Sequence, residues 1–227
     1  MNEFSRCEVL IGIDKLNKIK EKTVLIIGLG GVGGYALETL IRNGIQNIIL
    51  VDFDKIDITN INRQIIALHS TINKNKTEVF FSRIKDINPK CDVKIINDFI
   101  NKDNIDNLFK YNIDYVIDAC DTVETKKLII KSCLDKNIKF ISCMGTAKKI
   151  NPTKLKIMDI RKTNYDKLAK IIRKWVKDEK INKKIYVVSS DEKIIETNDK
   201  KVLGSMSFVP NTAGILCAKY VIDDIIE

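Results

Sequence analysis

Thr23-Val24-Leu25-Ile26-Ile27-Gly28-Leu29-Gly30-Gly31-Val32-Gly33 is the stretch from which the fold is read. A short apolar run that ends in glycine has the form of a buried strand. Behind it Ala36, Leu37, Leu40 and Ile41 recur at helical spacing until Asn43-Gly44 stops the pattern. Ile48 to Val51 is then a second buried strand ending at Asp52, which completes a strand-helix-strand unit with parallel strands and a right-handed crossover. Gly28, Gly30 and Gly33 satisfy Gly-x-Gly-x-x-Gly between the strand and the helix. There glycine permits the tight turn and lets backbone amides approach a phosphate at the positive end of the helix. Asp52, closing the second strand, is placed to accept hydrogen bonds from ribose hydroxyls. These features suit a dinucleotide oxidoreductase and an ATP-using enzyme alike.

Working outward, the alternation continues. A helix is expected from about Lys76 to Ile87, ended by Asn88-Pro89, then a strand around Val93 to Ile96. Tyr115 to Ile117 is a short strand, Thr125 to Leu134 a helix, and Phe140 to Ser142 another strand before Gly145. Strands alternating with helices predict an α/β fold, a Rossmann-like doubly wound and mostly parallel sheet. After Asn151-Pro152 the character changes to a C-terminal extension. A strand is expected at Leu155 to Ile160, an amphipathic helix from Asn164 to Lys180, and a final helix from Thr212 to Ile226. The expected organisation is one domain over 1–227, with a nucleotide-binding core at about 20–145 and a basic, substrate-side extension at about 146–227.

The chain has 227 residues, 44% of them apolar, enough for a sizeable core, and a formal net charge of +9. That charge is unevenly spread: Lys148 to Lys184 holds fourteen Lys or Arg against four Asp or Glu. This is either a solvated helix face or a nucleic-acid contact surface. The six cysteines form no Cys-x-x-Cys pair, and the first residues show no signal peptide, so a reducing cytoplasm is the expected setting. His69 is the single histidine, which excludes histidine-rich metal sites and leaves His69 a surface or structural role. No apolar run is long enough to span a membrane, so no membrane partner is expected.

A phosphate clamp of the P-loop type is absent from the sequence, so a triphosphate needs another source of positive charge. Asn60-Ile61-Asn62-Arg63-Gln64 and Lys76 offer a guanidinium fork and an ammonium, a pair for which a redox enzyme has no evident use. Here the chain resembles the ubiquitin-activating-like adenylating enzymes, the family of ThiF, MoeB and HesA. The resemblance rests on GLGGVGG, VDFD at 51–54, NINRQ, Lys76 and DACD at 118–121. It implies that Gly31, Asp52 and Asp54 hold ATP, that Asn60, Arg63, Gln64 and Lys76 surround its phosphates, and that Asp121 carries Mg²⁺. Arg63, Lys76 and Asp121 are then the catalytic set. Arg6, in Phe4-Ser5-Arg6, looks like the family's N-terminal arginine, which reaches into the partner subunit's ATP site in a homodimer; Glu3 departs from the arginine that usually precedes it. Asp118 and Asp121 need not act alike, since one of them can simply end the strand or cap the next helix; Asp121 is preferred as the ligand.

Members that activate ubiquitin-like or sulfur-carrier proteins commonly have a nucleophilic crossover cysteine, and bacterial ones often two zinc-binding Cys-x-x-Cys pairs. This chain has no cysteine between Cys143 and Cys217, which disfavours that arrangement. SCMGTAKKINPTKLKIMDIRKT at 142–163 and GSMSFVPNTAG at 204–214 instead resemble the branch that dehydrates threonylcarbamoyladenosine in tRNA. That resemblance implies activation of the threonyl carboxylate and attack by the substrate's own carbamoyl group, so that proximity replaces an enzyme nucleophile. The expected partner is tRNA carrying threonylcarbamoyladenosine, with a sulfur-transfer protein admitted. Activation of a sulfur carrier's C-terminal carboxylate, and a non-catalytic nucleotide-binding scaffold, are the competing readings. Ile66 stands where the branch usually has histidine, and Asn73 where glycine is common. Ser205, Ser207 and Phe208 lie in the branch-like motif without an assigned role.

Overall fold

The computed structural model describes residues 1–197 and 203–227. The chain opens with two helices, α1 (Ser5–Ile11) and α2 (Ile13–Glu21), which the sequence reading did not anticipate. Then follow β1 (Thr23–Ile27), α3 (Gly31–Arg42), β2 (Asn47–Val51), α4 (Lys76–Ile87), β3 (Asp92–Ile96), α5 (Ile105–Leu108), β4 (Tyr115–Asp118), α6 (Val123–Asp135) and β5 (Lys139–Cys143). The last part carries β6 (Leu155–Asp159), α7 (Lys167–Asp178), β7 (Tyr186–Ser190) and α8 (Phe208–Ile226). The strands form one seven-stranded sheet in the order β3-β2-β1-β4-β5-β7-β6, parallel throughout except for the antiparallel edge strand β6.

Period-two alternation builds a core on each face. Val24, Ile26, Ile48, Leu50 and Ile117 point towards α3 and α8, while Leu25, Ile27, Ile49, Val51 and Val116 point towards α6 and α7. Burying a side chain of this kind contributes about 1.5–3 kcal/mol, so the central strands dominate the apolar stabilisation. The two helices α3 and α8 pack backbone to backbone. A Cβ at Gly214 would lie 2.1 Å from the Val32 carbonyl oxygen and 2.9 Å from the Ala36 nitrogen, an approach that requires glycine. Across the outer side of α3, Glu38 accepts from Arg42 Nε at 2.7 Å and from Arg83 Nε at 2.7 Å, tying α3 to α4.

Helix α5 was not anticipated, and three further details differ from the sequence expectations. Strand β7 was not anticipated; it pairs with both β5 and β6 and makes the C-terminal extension continuous with the sheet. Helix α7 begins three residues later than expected because the Asp166 carboxylate caps it, accepting from Ala169 N at 2.8 Å. Helix α8 begins four residues earlier, at Phe208. Its Pro210 falls in the first turn, where the missing N–H has no intrahelical partner to lose. No helix among the described residues is long and apolar enough to cross a membrane.

Candidate active site

The sheet order reverses direction between β1 and β4, and the glycine turn sits at that switch point, beyond the C-terminal ends of both strands. Gly28 has φ 88°, and a Cβ on it would lie 2.8 Å from the Ala119 carbonyl group. A Cβ on Gly33 would lie 1.8 Å from the Gly28 carbonyl oxygen, so this glycine lets α3 seat on β1. Gly30 is different. The nearest atom to its Cβ position is Gln64 Nε2 at 3.7 Å, which is ordinary contact, so the fold itself leaves room for a side chain here. Gly31 lies against Arg63 Cγ (3.4 Å) and Pro210 Cβ (3.3 Å). No side chain caps α3 at Gly30, which leaves its first amides and the positive end of its dipole facing outward.

Asp52 closes β2 and holds this turn: Leu29 N donates to Oδ2 at 2.6 Å and Asp54 N to Oδ1 at 2.8 Å. Burial raises the Asp52 carboxyl above the usual carboxylate range, and the opposing pull of Lys76 does not cancel it. Lys76 is itself buried, with Nζ 2.7 Å from Asp54 Oδ2 and 3.8 Å from Asp52 Oδ2. Lys76 is thus an ammonium clamped between two carboxylates beside the turn that Asp52 holds. The loop that delivers Lys76 is pinned by Ile56 N to Lys74 O and Asn73 N to Ile56 O. Asn73 has φ 66°, the left-handed conformation that asparagine tolerates best after glycine. The departure from glycine noted in the sequence therefore keeps the loop geometry. Ile66, in place of histidine, is buried core.

The NINRQ segment follows a turn capped by Asp57, with Asn60 Oδ1 accepting from Asp57 N at 3.2 Å. Arg63 is half-buried, and its Nη1 donates to Thr59 O and to Asn62 Oδ1, both at 2.9 Å. Gln64 is buried, and its Oε1 has no hydrogen-bond partner among the described residues. Asn62 Nδ2 donates to Ser205 O at 2.8 Å, and Lys148 N to Gly204 O at 2.9 Å. The segment before α8 thus bridges the NINRQ loop and the loop after β5, and Phe208, about half exposed, stands on that rim.

The two aspartates of DACD are in unlike surroundings. Asp118 is fully buried; Lys126 Nζ lies 2.8 Å from its Oδ2, Ser142 Oγ donates to the same oxygen at 2.6 Å, and Cys120 N donates to Oδ1 at 3.3 Å. Lys126 is held above the ordinary lysine value: burial opposes its charge, but Asp118 prevails. Asp121 is exposed and has no ion-pair partner among the described residues. Lys126 escaped the sequence reading, although Val123, Lys126, Ile130 and Cys133 share one helical stripe; a lysine on an apolar stripe was the available signal.

A second buried polar group lies behind the loop after β5. Asp166 packs against Gly145, with Oδ2 3.1 Å from its Cβ position, and Lys149 Nζ lies 3.8 Å from Asp166 Oδ2. Burial lowers the Lys149 ammonium despite Asp166. The outer face of α7 presents Lys167, Lys170, Lys174 and Lys177 to solvent. Arg6 lies elsewhere: the neighbouring Cys7 contacts Arg42 and Asn43 at the far end of α3. A twelve-residue helix is about 18 Å long, so Arg6 does not join the glycine turn of its own chain.

Comparison with known proteins places these features in context. The model of the ThiF family matches residues 4–222. A tRNA threonylcarbamoyladenosine dehydratase of Bacillus subtilis is 40% identical over 100% of this chain and 96% of its own length. One of Haemophilus influenzae is 42% identical over 70% of this chain and 61% of its own length. The crystal structure of the Escherichia coli tRNA N6-threonylcarbamoyladenosine dehydratase TcdA in complex with ATP superimposes with a TM-score of 0.93 at 31% identity, covering 99% of this chain and 93% of that one.

Proposed function

The chain belongs to the ThiF family, and on that premise we propose that it is an ATP-dependent tRNA threonylcarbamoyladenosine dehydratase. The threonyl carboxylate attacks the α-phosphorus of ATP, forming an acyl-adenylate and expelling pyrophosphate. The substrate's carbamoyl group then attacks the activated carbonyl, loses its proton and expels AMP, so the nucleoside loses the elements of water while ATP becomes AMP and pyrophosphate. The single observation that carries this reading is the likeness to threonylcarbamoyladenosine dehydratases along the whole chain, including the extension beyond the nucleotide core.

In this reading the amides at the start of α3 and Gly30 receive the phosphates, and Asp52 holds the turn and the ribose. Asn60, Arg63, Gln64 and Lys76 offset the charge that grows on the α-phosphate and the departing pyrophosphate. Lys76 leaves Asp54 to do so. Asp121 would hold Mg²⁺, which would supply charge neutralisation of the triphosphate; an exposed, unpaired carboxylate suits that ion, whereas Asp118 is already paired with Lys126. The basic face of α7 binds the tRNA backbone. A homodimer brings Arg6 of a second copy to the site; the exposed Val9 and Leu10 beside it on α1 give that copy an apolar surface. We place the enzyme in the cytoplasm, where its six free thiols stay reduced.

Purified protein given tRNA bearing threonylcarbamoyladenosine and ATP·Mg²⁺ should release pyrophosphate and yield the cyclised nucleoside on mass analysis. Absence of both products would refute the assignment. Pyrophosphate exchange that depends on a sulfur carrier and ignores tRNA would instead establish the adenylyltransferase reading.

A further inference from the structure

Tyr165 is an exposed aromatic side chain in a conformation that costs the fold free energy. Its φ is 51°, and of the five non-glycine residues with positive φ among those described it is the one that is aromatic. A bulky side chain rarely adopts this region, because its Cβ crowds the neighbouring carbonyl oxygen. The turn is over-determined on both sides. Arg173 Nη1 donates to Thr163 O at 2.6 Å, and the next residue after Tyr165 is Asp166, buried against Gly145 and capping α7. Held at both ends, the turn turns the ring outward, about half exposed, with Lys193 Nζ 5.8 Å from its centroid.

The position matters as much as the strain. Asp121 follows β4 and Gly145 follows β5, neighbouring parallel strands whose axes lie about 5 Å apart. Through Asp166, which packs against Gly145, Tyr165 is therefore fixed at the same C-terminal edge of the sheet as the glycine turn, directly before the start of α7. A flat π-face backed by a cation, continuing into a basic surface, is how single-stranded RNA bases are held.

We propose that Tyr165 is the stacking platform for an unstacked base of the RNA loop that carries the substrate nucleoside. This rests on the tRNA reading above and names a contact within it. The strained turn gives up stability to present the ring.

The test uses the full-length protein and an anticodon stem-loop bearing threonylcarbamoyladenosine, with affinity measured across a salt series. Tyr165→Ala should weaken binding on the order of tenfold, with the slope of log K against log salt unchanged because no phosphate contact is lost. Tyr165→Phe should bind as the unmodified protein does. Tyr165→Gly should also lose affinity while raising the thermal midpoint, since glycine adopts this φ without strain. Wild-type affinity in Tyr165→Ala, a loss shared by Tyr165→Phe, or a shallower salt slope would each overturn the stacking role. Failure of the unmodified protein to bind the stem-loop at any salt would overturn the RNA reading itself, and with it this contact.

Discussion

Replacing Lys126 with methionine removes one member of a fully buried ion pair while keeping the volume of the side chain. Lys126 Nζ and Asp118 Oδ2 are 2.8 Å apart, both side chains are 0% exposed, and Ser142 and Cys120 are polar neighbours, with Ser142 Oγ 2.6 Å from Asp118 Oδ2 and 3.1 Å from Lys126 Nζ and Cys120 N 3.3 Å from Asp118 Oδ1. The variant leaves a carboxylate buried with no counter-charge, which costs about 3–5 kcal/mol. With a urea m-value near the upper end of the usual range, about 3 kcal/mol/M, the unfolding midpoint should fall by roughly 1–1.7 M. Adding Asp118→Asn should recover much of the loss, because the amide needs no counter-charge and still meets Ser142. The pair should also be insensitive to pH near neutrality. The folded Lys126 value lies above its ordinary 10.5, so the contribution is complete below that pH and is lost only as pH climbs through the folded value. A Lys126→Met variant within about 1 kcal/mol of wild type, or no rescue by Asp118→Asn, would refute the reasoning.

Gly30→Ala should keep its unfolding temperature but lose ATP binding in calorimetry, whereas Gly33→Ala, whose Cβ would sit 1.8 Å from a carbonyl oxygen, should lose stability as well. Burial pushes the Glu38 carboxyl up, but Arg83 and Arg42 prevail and hold it below the ordinary 4.5. Its contribution is therefore present above that pH and lost as pH falls through the folded value, and Glu38→Gln should flatten the acid limb of a stability-pH curve. Cys120→Ser should retain turnover, since burial and Asp118 push that thiol up and out of the nucleophilic range. In native protein a thiol reagent should likewise spare Cys91, raised by burial to about 12.

The parts of the fold that were readable are those where one residue type answers to one constraint. A largely buried strand, a glycine turn and a helix behind it could be read from 23–42 because each glycine does a different steric job. Helices α1 and α2 were missed because their apolar residues mark no single core face: Val9 and Leu10 are 89% and 84% exposed, while Leu16 and Ile19 are buried. Strand β7 had its signal in Ile185 to Val188, a β-branched run, but it lies behind a lysine-rich segment that drew the reading towards surface. Among the candidate site residues, Arg63 and Lys76 were nameable because a triphosphate needs positive charge, and Asp121 through the family resemblance. Lys149 was not, because only the three-dimensional packing reveals that a lysine among many is buried and paired, and Lys126 had no signal beyond its place on an apolar helical stripe.

The central claim is that the threonyl carboxylate becomes an acyl-adenylate, and oxygen labelling tests it directly. With ¹⁸O in both carboxylate oxygens of the threonyl arm, turnover should place one label in the phosphate of AMP and leave one in the cyclised nucleoside. Unlabelled AMP, with both labels still on an open threonyl carboxylate or released to water, would contradict the account.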